Sequence, residues 1–166
     1  MITLISGTSR VGSNTLKVAH TYQKLLNEAN VEFRLLDLAC HNVTVNNDAF
    51  VAMESEFLTP AEKFIFILPE YNGSFPGIVK LMIDNSAVST CWHHKKALLT
   101  GVSTGRAGNL RGMEHFTGSL MHMKMTVHPN RLPLSMVDKL MNDNNLIGDE
   151  GTLTAIRQQL ADFLSY

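Results

Sequence analysis

The apolar positions of the chain fall into short continuous runs that alternate with stretches repeating at helical spacing. Residues 2–6, ITLIS, form a β-branched run closed by Gly7, which predicts a buried strand entering a turn. Leu16, Ala19, Tyr22 or Gln23, Leu25 and Leu26 recur at intervals close to three and four as far as Asn30, so a helix is expected to stop there. VEFRLLDL (31–38) reads as a second strand, and KFIFILPE (63–70), the most hydrophobic short window, as a central third. Residues 77–89 read as a helix begun by Pro76, whose fixed φ and missing N–H suit a first helical turn. KKALLTGVS (95–103) supplies a fourth strand and MKMTVHP (123–129) a weaker fifth, with Leu110, Met113, Leu120 and Met121 marking a helix between them. Leu153, Ile156, Leu160 and Leu164 predict a closing helix. Residues 40–60 and 128–151 lack either rhythm and read as surface loops or partner contacts.

Strands alternating with helices imply parallel pairing through right-handed crossovers, and therefore an α/β fold of three layers. A chain of 166 residues with 45% hydrophobic content is expected to build one core, so residues 1–166 read as a single domain. The 14 basic residues against 15 acidic ones provide no broad cationic field, which argues against nucleic acid as a partner. MITLISGTSR has no charged segment ahead of its apolar run, and that run is too short for a signal or a membrane span. Cys40 and Cys91 have neither metal nor redox spacing and read as inert thiols. A cytoplasmic protein without membrane attachment is the expectation.

In an open parallel sheet, ligands sit beyond the carboxyl ends of the strands, where the strand order reverses. The informative loops are then GTSRVGSNT (7–15), PEYNGSFPG (69–77) and GVSTGRAGN (101–109). The first sets Thr8, Ser9, Ser13, Asn14 and Thr15 at the entry to a helix, where free N–H groups and the helix dipole attract an anion, with Arg10 able to add a charged bond. The competing reading makes Ser13 or Asn14 a plain N-cap and Arg10 a solvated charge. A triphosphate loop is excluded because Ser13 and Asn14 follow Gly12 where Lys and Ser/Thr are required, and no G-x-G-x-x-G follows the first strand. A ligand with one phosphate fits best. In the second loop, the backbone of Glu70, Tyr71, Asn72 and Gly73 would present donors and acceptors to a flat heteroaromatic, with the Tyr71 ring beside it. Alternatively it is a simple strand-to-helix connection in which Tyr71 and Phe75 cover the core and Ser74 caps the helix.

The pattern G-x-x-R-x-G-S followed by Thr15, then PEYNGSFPGIVKLMID (69–84), then STGRAGNLRG (103–112) resembles the NADPH-dependent FMN reductase family of flavodoxin-like proteins, which includes azo-, quinone- and chromate-reducing members. The resemblance runs from the first strand to about residue 112 and implies a flavodoxin-like three-layer sandwich whose five-stranded parallel sheet has the order 2-1-3-4-5. It also implies a non-covalent FMN whose phosphate sits at Thr8, Ser9, Arg10, Ser13, Asn14 and Thr15. Pro69, Glu70, Tyr71, Asn72 and Gly73 would border the isoalloxazine, and Ser103, Thr104, Gly105 and Arg106 would close its other side. Two departures stand out: Asn109 follows Gly108 where the family often carries paired glycines, and Asn85 and Ser86 follow Asp84 where many relatives carry tryptophan.

The chemistry implied is hydride transfer from NADPH or NADH to FMN and then to a small acceptor in a ping-pong scheme, with no catalytic side chain. Asn72 is the expected contact near the reactive nitrogen, while Arg106 and Arg111 would meet phosphates of NADPH unless Arg111 is only a surface charge. Rival functions are an FMN electron carrier of the flavodoxin type and a flavin-free binding domain; a net charge of −1 and Arg10 both point away from the strongly acidic carrier. His93 and His94 read as exposed, and His115, His122 and His128 lack an i, i+4 pair, so no metal site is expected. The nine methionines read as core or interface filler. Ile78, Val79, Met82 and Ile83 suggest more apolar surface than one sheet face covers, and hence a homodimer or homotetramer.

Overall fold

In the computed structural model, which describes residues 1–166, four strands form at the continuous apolar runs: β1 (Ile2–Ser6), β2 (Phe33–Asp37), β3 (Lys63–Pro69) and β4 (Lys96–Val102). The runs are continuous because the central strands are covered on both sides. Phe64, Phe66 and Leu68 of β3 bury into one apolar cluster, and the alternating Ile65 and Ile67 into another. The second cluster takes in Val18, Tyr22 and Leu26 of α1 (Asn14–Glu28) with Ile156, Leu160 and Phe163 of α6 (Glu150–Ser165). The first takes in α2 (Asp48–Met53), α3 (Gly77–Asn85), α4 (Val88–Cys91) and α5 (Leu110–His122). Fully burying one such side chain stabilises the fold by about 1.5–3 kcal/mol, so these two seams hold the three layers together.

All pairings are parallel and the order is β2-β1-β3-β4-β5, the flavodoxin-like arrangement expected from the sequence. The fifth position differs in detail: β5 (Thr126–Val127) pairs with Lys96 and Ala97, and β6 (Leu132–Leu134) pairs farther along with Thr100 to Val102. Pro129 lies in the gap, and Gln159 of α6 donates its Nε2 to the Leu99 carbonyl at 3.1 Å and the Asn130 carbonyl at 2.9 Å across the interruption. One side chain thereby satisfies carbonyls that no strand reaches.

Other departures have local causes. The helix expected over 77–89 ends at Asn85, because Ser86 turns extended (φ −87°, ψ 158°) while its hydroxyl donates to the Ile83 carbonyl and accepts from the buried Trp92 indole. Pro76 stands one residue earlier than expected, at the N-cap in an extended conformation (ψ 140°). The stretch 40–60 is not a bare loop: α2 is capped by Asn47 and runs into a π-helical turn, Glu54–Leu58. Its buried Phe50, Met53 and Leu58 are spaced three and then five apart, and that π turn hides the helical period. Val79, Met82 and Ile83 bury in the chain's own core, so the wide apolar surface expected on α3 is already covered. No helix is long and apolar enough to cross a membrane.

Candidate functional site

Three loops leave the carboxyl ends of β1, β3 and β4 and meet around a cleft of about 270 Å³. Arg10, Ser13, Asn14 and Thr15 line it from the first loop, Pro69, Glu70 and Tyr71 from the second, and Ser103 and Thr104 from the third. A larger depression of about 590 Å³ lies between α3 and α5, but it is lined by residues of helices and their ends and by none from the loops after β1, β3 and β4, so the smaller cleft is the candidate. Its volume is just below the usual range of about 300–1,000 Å³. A large ligand would therefore be gripped along one edge rather than engulfed.

The first loop wraps the start of α1. Gly12 takes a left-handed φ of 66°, and Ser13 caps the helix by accepting the Leu16 N–H at 3.1 Å. The N-cap reading of Ser13 is correct. The N–H groups of Val11, Gly12, Ser13, Asn14 and Thr15 make no bond within the chain. Five consecutive donors at the positive end of a 15-residue helix are free of partners, the arrangement that favours an anion. Thr8 is fully buried and outside the cleft lining: its hydroxyl meets the Tyr71 hydroxyl at 2.5 Å and accepts the Arg10 N–H at 3.2 Å. Ser9 is exposed and also outside the lining.

The second loop is tighter than the flat edge expected. Tyr71 and Ser74 exchange both backbone bonds, at 2.9 and 3.1 Å, around Asn72 (φ 52°) and Gly73 (φ 77°). Two positive φ values mark a turn of the I′ class, which Asn-Gly favours, and that dipeptide was the signal for it. The Glu70 N–H is used on the Val102 carbonyl, so only the Asn72 and Gly73 amides remain free, and neither residue lines the cleft. Tyr71 is half-buried, with the Arg10 guanidinium 4.3 Å from its ring centroid. Cation–π contact thus ties the first loop to the second.

The third loop is held from outside. Ser103 donates its hydroxyl to the Gly105 carbonyl and accepts the Gly108 N–H, while Ser135 Oγ, Met136 N and Val137 N donate to the carbonyls of Arg106, Gly105 and Ser103. Gly105 and Arg106 are exposed and do not line the cleft. Val137 does, together with Val11 and Val102, and sequence reasoning missed all three. Val137 lies in a stretch with no pattern, so no local signal pointed to it. Arg111 of α5 lies over Gly73, its Nη1 3.5 Å from where a β-carbon would stand. Glu70 and Arg10 are the charged residues among the cleft lining.

Neither cysteine belongs to this site. Burial and a bond to Glu54 push the Cys91 thiol up to about 12, and the Asp37 carboxylate raises that of the exposed Cys40. No group of three or more His, Cys, Asp or Glu is arranged to hold a metal ion.

A doubly wound parallel sheet with free amides after its first strand and a shallow cleft across its carboxyl edge has the layout in which such folds hold nucleotide-type ligands. The profile of the NADPH-dependent FMN reductase family matches residues 1–138, and the chain belongs to that family. It is similar to an NAD(P)H-dependent FMN reductase of Pseudomonas aeruginosa, 31% identical over 110 residues, 63% of this chain; the match spans 58% of that relative's length. Among solved structures, FerB, a flavoenzyme NAD(P)H:(acceptor) oxidoreductase from Paracoccus denitrificans, aligns over 99% of this chain and 95% of its own, with a TM-score of 0.81 and 22% identity. An archaeal flavodoxin (TM-score 0.61, 15% identity, 98% and 95% covered) and an azoreductase from Bacillus anthracis (TM-score 0.58, 16% identity, 98% and 97% covered) share the fold.

Proposed function

We propose that residues 1–166 act as one FMN-binding domain that oxidises NADH or NADPH and reduces a small acceptor: a quinone, an azo compound, free flavin or a metal oxyanion. The observation that carries this reading is the run of five unpartnered amides, Val11 to Thr15, in the loop that lines the cleft through Val11, Ser13, Asn14 and Thr15. These amides, with Arg10 and the Ser13, Asn14 and Thr15 side chains, would hold the cofactor phosphate through charge-assisted bonds. Thr8 supports that loop from behind through its bonds to Tyr71 and to the Arg10 N–H, and the exposed Ser9 would reach the phosphate only from the loop's outer side. Pro69, Glu70 and Tyr71 would lie along the isoalloxazine on one side and Ser103 and Thr104 on the other, with Gly105 and Arg106 on the flank. The free amides of Asn72 and Gly73 are donors for the ring's polar edge. When bound, FMN supplies the hydride chemistry, and a shallow cleft with one open face makes nicotinamide and acceptor use that face in turn, a ping-pong order.

Arg106 and Arg111, both exposed on this flank, would receive the phosphates of NADPH, and Glu70 would repel a misplaced one. Anaerobic titration of the FMN-loaded chain with NADH and with NADPH tests the reading: bleaching of the flavin band is expected, and a chain that binds no FMN or is not bleached by either nucleotide rejects it. A cytoplasmic homodimer or homotetramer is part of the same proposal. Its support is now the exposed Leu81 and Val88 and the groove between α3 and α5, and a monomer by light scattering at micromolar concentration would refute it.

A further inference from the structure

Asn109 is fully buried at the head of α5, in a left-handed conformation (φ 62°, ψ 31°). Its side chain does not cap that helix. Instead Nδ2 donates to the carbonyls of Leu68 and Pro69, both at 3.0 Å, in a separate strand-to-loop junction 40 residues away in sequence. Two carbonyl partners demand a donor, so the amide orientation is fixed and Oδ1 is left buried without a partner. Burying an unpaired oxygen is unfavourable. Its presence indicates that the side chain is held for what the nitrogen does.

The surroundings are shaped to admit this side chain. A β-carbon on Gly112 would stand 2.0 Å from Asn109 Oδ1, and one on Gly101 would stand 2.0 Å from the Gly108 carbonyl oxygen and 3.1 Å from Asn109 Cβ. The two carbonyls that Asn109 engages belong to the peptides leading into the cleft floor. Fixing the Pro69 carbonyl toward α5 turns the other end of that peptide, the Glu70 N–H, onto the Val102 carbonyl at 2.9 Å. Pro69, Glu70 and Tyr71, which line the cleft, start from there.

We propose that Asn109 is a positioning residue: through Nδ2 it sets the peptide planes from Leu68 to Glu70, and so the flavin-facing surface of the second loop. This rests on the flavin reading given above. The residue at this point must accept a left-handed backbone and donate twice. Aspartate and glycine meet only the first requirement, while asparagine meets both.

The full-length chain is compared with Asn109→Asp and Asn109→Gly by FMN titration, flavin absorbance and amide hydrogen exchange of the free protein. Asn109→Asp keeps the shape and replaces the two-proton amide donor by a carboxyl group that carries one proton or none. Both variants are expected to weaken FMN binding about tenfold, the loss anticipated for hydrogen bonds of this kind, to shift the bound-flavin spectrum, and to speed exchange at Glu70 while Ile65 and Leu98 stay protected. Asn109→Asp behaving like the original chain in affinity and exchange would overturn the proposal, because shape alone would then suffice. Faster exchange with unchanged FMN affinity would overturn it equally. If Asn109→Asp does not fold, the proposal is overturned when Asn109→Gly keeps the original affinity and exchange, and supported when it speeds exchange at Glu70 and weakens FMN binding while Ile65 and Leu98 stay protected. If the unaltered chain binds no FMN, the flavin reading fails, and exchange at Glu70 still decides whether Asn109 orders the loop.

Discussion

Two polar regions lie within a few residues of each other on β4 and serve opposite ends. On the α1/α6 side, Tyr22 places its hydroxyl 2.8 Å from Thr100 Oγ1 and donates to Gln159 Oε1 at 2.5 Å, and Gln159 in turn serves the Leu99 and Asn130 carbonyls. All three residues are buried with no exposed polar atom left to a ligand. Beyond Val102, by contrast, the rim offers donors that nothing in the chain accepts, at Val11 to Thr15 and at Asn72 and Gly73. A closed polar cluster converts its hydrogen bonds into stability and chain register, whereas an open one keeps them for binding. Changes in the first should therefore alter folding and leave ligand affinity alone, and changes in the second should do the reverse.

Gln159→Leu should break that contrast hardest. It removes the acceptor that Tyr22 and Thr100 share, leaving their hydroxyls only each other, and strands two backbone carbonyls, so a loss of about 2–4 kcal/mol in urea unfolding is expected, with FMN affinity per folded molecule unchanged. An equal loss in affinity would mean that the two regions are coupled. Next in size, Arg10→Ala should weaken FMN binding by about 1.5–3 kcal/mol, as for a hydrogen bond to a charged group, with stability altered by no more than about 0.5 kcal/mol. An unchanged dissociation constant would remove Arg10 from the proposed phosphate site.

Tyr22→Phe should cost about 1 kcal/mol at neutral pH, and its pH dependence sharpens the comparison. Burial raises the Tyr22 phenol well above its ordinary value, with the Thr100 bond pulling weakly the other way. In the unfolded chain the phenol ionises near about 10, so between that pH and the higher folded value the unfolded state has lost a proton that the folded state keeps. Stability from Tyr22 is then complete below about pH 10 and falls as pH rises further. The gap in urea midpoint between the original chain and Tyr22→Phe should shrink above pH 10; a constant gap would count against a buried, protonated phenol. An effect of similar size belongs to Tyr71→Ala. It removes the Arg10 stack and the Thr8 bond, and should lower FMN affinity by about 0.5–1.5 kcal/mol with a change in the bound-flavin spectrum, while identical affinity and spectrum would exclude Tyr71 from the flavin surface.

Continuous apolar runs and helical spacing were sufficient to determine β1 to β4, the main helices and the parallel pairing, because burial on both faces and a 3.6-residue period are written into nearby residues, whereas the strand order came from the resemblance of the loop motifs to a known family. The three loops that form the cleft could be named in advance for the same reason: each begins where an apolar run stops, and a parallel sheet sends all such ends to one edge. Tertiary structure alone decided what the loops rest on. Val137 reaches the cleft from an unpatterned stretch, Gln159 bridges a broken edge strand from the last helix, and Asn109 serves carbonyls of a different loop. Such partners are chosen by proximity in the packed chain, and the sequence near each one carries no periodic trace of carbonyls that lie dozens of residues away.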